Sequence, residues 1–85
     1  NSVVFQDIAV DVTENGAVVT IDAVVSGGPG RLCIPVIGAP TTVVAVLEGQ
    51  AVAAEPGRGY VCLVLDKHVE NAQLRLVYSL DIRRA

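Results

Sequence analysis

A chain of 85 residues makes one domain, residues 1–85, near the lower end of what folds without staples or partners, and it buries only about 60–65% of the surface its unfolded form exposes. Hydrophobic residues make up 52% of it and aromatics 4%, with a mean hydropathy of +0.55, so Val, Ile, Leu and Ala must build the core and more apolar surface is present than so small a body shelters alone. The net charge of −3, with six scattered Lys and Arg, gives no basic stripe for nucleic acid; no stretch approaches the ~20 apolar residues of a membrane helix, and the chain is too short to close an outer-membrane barrel.

The first strand is predicted over about 3–13, with Val4, Ile8, Val10 and Val12 on one face and Asp7, Asp11 and Thr13 on the other. Glu14-Asn15-Gly16 reads as a tight hairpin turn, because Asn and Gly both tolerate positive φ. A second strand over about 17–26 should return antiparallel to the first, with Val19, Ile21, Ala23 and Val25 opposed to Val18, Thr20, Asp22 and Val24. Ser26-Gly27-Gly28-Pro29-Gly30 cannot continue a strand and must be a loop. Arg31 to Ile37 forms the third strand, with Leu32, Ile34 and Val36 on its apolar side. Pro35 has no ladder donor, which places this strand at a sheet edge or Pro35 at a bulge.

Gly38-Ala39-Pro40 breaks the chain again. Thr42–Leu47 and Gln50–Ala54 then flank Glu48-Gly49 as a second hairpin, and Glu55-Pro56-Gly57-Arg58-Gly59 is the next loop. Tyr60–Leu65 is the sixth strand, and Asp66 to Asn71 is a turn. Residues 72–82 alternate most cleanly of all: Ala72, Leu74, Leu76, Tyr78, Leu80 and Ile82 oppose Gln73, Arg75, Ser79 and Asp81. Seven short strands spaced by Gly and Pro predict an all-β fold, an antiparallel β-sandwich, with a small β-barrel as the alternative. No helical period stands out.

Few residues carry recognisable chemistry. Cys33 and Cys62 share the less apolar sides of their strands with Arg31 and Pro35, and with Tyr60 and Val64. A disulfide between them and a pair of free buried thiols are equally compatible with that placement, and a metal or catalytic role is the weakest reading. Asp66, His68 and Glu70 would point one way from an extended chain, a metal-ligand chemistry that Lys67 opposes, so a solvated charged connection is the simpler account. The glycine clusters open no helix and read as turns rather than phosphate cradles. No paired acid–base or nucleophile set emerges, and the chain reads as a non-enzyme with no cofactor and no metal.

Apolar residues recur on both faces of several strands, at Val3-Val4, Val18-Val19, Val24-Val25 and Val43-Val44. Strands apolar on both sides are ordinarily covered on both sides. Val3, Val4, Ile8, Val10, Val12, Val18, Val24 and Val43 are therefore the interface candidates, with the partner either further copies of this chain or adjacent domains of a larger protein. The start at Asn1 and the lack of any Met suggest a mature product after leader removal, or a domain of a longer protein, and favour an extracellular or cell-surface location.

Tyr60-Val61-Cys62 has the Tyr-x-Cys form of immunoglobulin domains, but Arg58 stands where a small residue is usual, Trp is absent and Cys33 lies too near in sequence. The spacing Val44-x-Val46-x-Glu48-Gly49-x-x-Val52, Gly59-Tyr60-x-x-Leu63-x-Leu65 and Leu74-x-Leu76-x-Tyr78 resembles the closing half of immunoglobulin-like β-sandwich modules from bacterial envelope and extracellular proteins. That resemblance spans about half the chain and implies a structural or presenting module, with no functional residue carried across. The function expected is a subunit of a homo-oligomeric or filamentous surface structure, associating through Val-rich faces and edge strands. The alternative is a binding or spacer module of an envelope protein.

Overall fold

A computed structural model describes residues 1–81. Seven strands follow in chain order: β1 (Ser2–Val12), β2 (Gly16–Gly27), β3 (Gly30–Pro35), β4 (Val43–Leu47), β5 (Gln50–Gly57), β6 (Tyr60–Leu65) and β7 (Val69–Asp81). They form one antiparallel sheet of order β1-β2-β7-β4-β5-β6-β3, curled into a half-barrel with β1 and β3 at its two edges. The two separate sheets of a sandwich are therefore not what the hydrogen bonding describes. β5 is the reason. Its first residues, Gln50 to Val52, pair with Leu47 to Ala45, and the rest, Ala53 to Gly57, pair with β6 on its other side. One continuous strand thus carries the ladder around the bend.

The curl brings the apolar faces of β2, β7 and β4 against those of β6 and β3. Val19, Ile21, Ala23, Val25, Leu32, Ile34, Ala45, Leu47, Val61, Leu63, Leu65, Ala72, Leu74, Leu76 and Tyr78 form one buried cluster. Among the described residues, no polar or charged residue lies within the core apart from the tyrosine hydroxyl. The longest dimension, 42 Å, matches the span of the 13-residue β7 at about 3.3 Å per residue. β2 and β7 thus run the length of the molecule and form its spine.

Two hairpins differ in how they turn. The β1–β2 hairpin forms as the sequence predicts, but neither Asn15 nor Gly16 adopts positive φ. Gly16 already belongs to β2, opposite Asp81, and its carbonyl accepts from Thr13 N–H at 2.9 Å. Positive φ appears instead in the β4–β5 hairpin, at Glu48 (49°) and Gly49 (81°). A left-handed glutamate costs on the order of 1 kcal/mol. Here Glu48 is tied down twice, its N–H donating to Gln73 O at 2.9 Å and its Oε2 accepting from Gln73 N–H at 2.8 Å.

β2 and β3 lie on opposite sides of the core and are joined by an arch of only Gly28 and Pro29; of the stretch expected to be a loop, Ser26 and Gly27 continue β2 and Gly30 opens β3. A Cβ on Gly28 would sit 2.6 Å from the Lys67 carbonyl oxygen, so only glycine fits that approach. At the other end, residues 36–42 cross back beneath the core. Val36 N–H donates to Gly59 O at 2.9 Å, the Tyr78 hydroxyl bridges the N–H and the carbonyl of Ile37 at 3.2 Å each, and Thr41 N–H donates to Ser79 O at 3.0 Å. Burial pushes the Tyr78 phenol above its usual pKa, and its bond to Ile37 opposes that shift.

Candidate interaction surface

β1 is out of keeping with the rest of the sheet. It is an 11-residue strand paired on one side only, and every residue in it is exposed except the half-buried Val3. The register against β2 slips between Phe5 and Asp7, an irregularity at Gln6 that shifts the alternation by one residue. Ile8, Val10 and Val12 lie opposite Ile21, Val19 and Ala17, and so face the core side of the sheet. Before the slip the core side belongs to Val3 and Phe5, opposite Val25 and Ala23. The single face drawn through Val4, Ile8, Val10 and Val12 is thus corrected: Val4, opposite Val24, lies on the outer side.

Phe5, Ile8, Val10 and Val12 therefore share the face that is core elsewhere, yet they are 41%, 48%, 53% and 81% exposed. Nothing among the described residues covers them, because β3, across the core, stops one strand short. Leu32 of β3 lies against Gly27 of β2, where an added Cβ would meet its Cδ1 at 3.1 Å. Further along, Pro35, Val36 and Ile37 make one wall of an apolar groove of about 250 Å³, with Phe5, Ile8 and Ile21 as the rest. The second side of the molecule ends over β2, and β1 overhangs beyond it.

The remaining interface candidates separate by face. Val3 and Val43 are half-buried and pack on the core. Val18 and Val24 lie half-buried on the outer face, shielded by neighbours in the sheet, while Val4 and Val44 are 60% and 54% exposed there. Phe5, Pro35, Val36 and Ile37 complete the groove and lie outside the set that patterning picks out. A lone phenylalanine in a chain so poor in aromatics was the available signal, but the slip at Gln6 hid its face.

The two edges are built differently. β3 has six residues, ends in Pro35, and is fastened to β6 by a disulfide between the directly opposed Cys33 and Cys62. Beside the disulfide, Arg31 pairs with Glu55 at 2.9 Å on the outer side. β1 has neither proline nor cation, only Asp7 and Asp11 on its outer face. Proline at the last residue of β3 removes one ladder donor from that strand and leaves the rest of its edge able to pair, whereas β1 is a long apolar edge with no donor removed.

Polar contacts elsewhere have local explanations. Arg75 grips Asp22 across the β2–β7 ladder with two bonds, Nε to Oδ1 at 2.9 Å and Nη2 to Oδ2 at 3.1 Å, which lowers the Asp22 pKa below its ordinary 3.8 and raises that of Arg75. His68 Nδ1 lies 3.0 Å from Gly28 O, and Nε2 lies 3.0 Å from Glu70 Oε1. Both neighbours are acceptors, so the doubly protonated ring satisfies both; Glu70 first and the Gly28 carbonyl second raise its pKa above 6.5. His68 therefore acts as a clasp between the arch and β7. Among the described residues, no group of three or more His, Cys, Asp or Glu is arranged to hold a metal ion, and no helix is long and apolar enough to cross a membrane.

No known protein family, curated protein or solved structure matches the chain. Its surface chemistry rests on its own geometry: an exposed core-type face beside an unpaired strand edge.

Proposed function

We propose that this protein is a non-enzymatic assembly subunit that works by associating with further copies of itself. The observation that carries this reading is β1, where Phe5, Ile8, Val10 and Val12 are 41–81% exposed on a face that is otherwise core. Full burial of such a side chain from water is worth about 1.5–3 kcal/mol, of which only the share still exposed is forgone here, and the unpaired edge adds main-chain donors and acceptors beside it. Edge pairing satisfies the main chain while the adjoining face supplies apolar contact. An extracellular or surface setting suits the Cys33–Cys62 disulfide, which is compatible with an oxidising compartment.

Light scattering coupled to size-exclusion chromatography, over a wide concentration range, tests the reading. Assembly predicts a mass that rises above 8.8 kDa with concentration. A mass fixed at 8.8 kDa at the highest soluble concentration would remove it and favour a spacer module whose bare face meets another domain.

A further inference from the structure

Resting on that self-association, we infer its form: a closed two-fold dimer in which the β1 edge of each copy joins the β3 edge of the other, and the two β1 strands stack face to face. The step in the molecule is its own complement. One side ends with β1 overhanging by a strand, and the opposite side ends with β3 one strand short. A second copy, turned by half a revolution about an axis parallel to the strands, sets its β3 beside the first copy's β1 and its β1 beside the first copy's β3. Each bare face then covers the other, and no edge remains free, so growth stops at two.

Strand direction and charge agree with this arrangement. Every neighbouring pair along the sheet is antiparallel, so β1 and β3, six steps apart, run the same way, and the joint between copies is a parallel pair. The charged residues of β1 are Asp7 and Asp11, and that of β3 is Arg31. All three lie on the outer side, so the joint sets the β1 carboxylates beside the Arg31–Glu55 pair, whose guanidinium is a cation that β1 itself lacks. The rival arrangement, β1 against β1 in one extended sheet, opposes carboxylates to carboxylates and leaves both apolar faces uncovered. Phe5, Ile8, Val10, Val12 and Ile37 are 41–81% exposed, and stacking the two β1 strands withdraws apolar surface of this kind from water in both copies at once.

The test combines sedimentation equilibrium with hydrogen exchange read by mass spectrometry, both over a concentration series of the whole chain. The expected result is a mass that levels off at twice 8.8 kDa, with amides in residues 2–12 and 30–35 gaining protection together. Val10→Asp raises the dissociation constant at least about 100-fold, and Val10→Thr, which keeps shape and strand preference, raises it about tenfold. Circular dichroism unchanged from the parent verifies that each variant is folded. Mass that climbs past two copies overturns the closed dimer while leaving self-association standing. Protection confined to residues 2–12, or a dimer indifferent to both Val10 variants, overturns the joint. A monomer at every concentration overturns the joint and the assembly reading together.

Discussion

β1 and β7 are strands of similar length and similar alternation, and they have opposite fates. Along β7, Ala72, Leu74, Leu76 and Tyr78 are at most 3% exposed, while along β1 the equivalent face is 41–81% exposed from Phe5 to Val12. β7 lies between β2 and β4 with β6 and β3 across the core; β1 has one neighbour and nothing opposite among the described residues. Period-two patterning states which side chains share a face and says nothing of what stands over that face. Stability should therefore reside in β7 and association in β1, and substitutions can separate the two.

The largest effect should come from Leu76→Ala. Its side chain is fully buried, and its loss should cost about 2–5 kcal/mol in denaturant unfolding, a large share of what a domain of this size possesses. The disulfide comes next: it closes a loop over a sequence separation of 29, and replacing both Cys33 and Cys62 by Ala should cost about 3.5 kcal/mol. Reduced and oxidised protein compared by thermal unfolding would verify this, and an unchanged midpoint would show that β3 is held by packing alone. Tyr78→Phe removes the hydroxyl that bridges both backbone groups of Ile37 and should cost about 1 kcal/mol. On β1, Ile8→Ser should change monomer stability, measured at low concentration, by less than about 1 kcal/mol. A loss as large as that of Leu76→Ala would mean that β1 belongs to the core after all.

The smallest effect concerns pH. The folded state raises the His68 pKa above 6.5, so protonation favours folding. That contribution is complete below pH 6.5 and disappears as the pH rises through the higher folded-state value. His68→Gln keeps hydrogen-bonding capacity without titrating there. The midpoint difference between parent and variant should be larger at about pH 5.5 than at about pH 8.5. An equal difference at both would show that the clasp does not depend on charge.

Much of the fold is legible in the amino-acid sequence. The seven strand positions follow from alternation and from the glycines and prolines between them, with ends displaced by up to a few residues. Pro35 points to an edge strand or a bulge, and β3 is an edge strand. Ile82, counted with the last strand, and Arg83 and Arg84 lie outside the described residues. The turn chemistry misleads at Asn15-Gly16, where the pairing of Gly16 with Asp81 holds an extended backbone, and it understates Glu48, whose strained φ is compensated by Gln73, a residue distant in sequence. The interface face is half legible, because one irregularity at Gln6 exchanges Val4 for Phe5.

Sequence by itself determined the strands, the inward sides of those that keep an unbroken alternation, and the excess of apolar surface, because backbone sterics and the two-residue period act between near neighbours. Only the tertiary structure decided that β5 would carry one sheet around the core, that β3 would stop a strand short, and that β1 would be left bare. Those outcomes depend on which strands meet across long separations and how far the sheet curls, and local preferences do not contain that information.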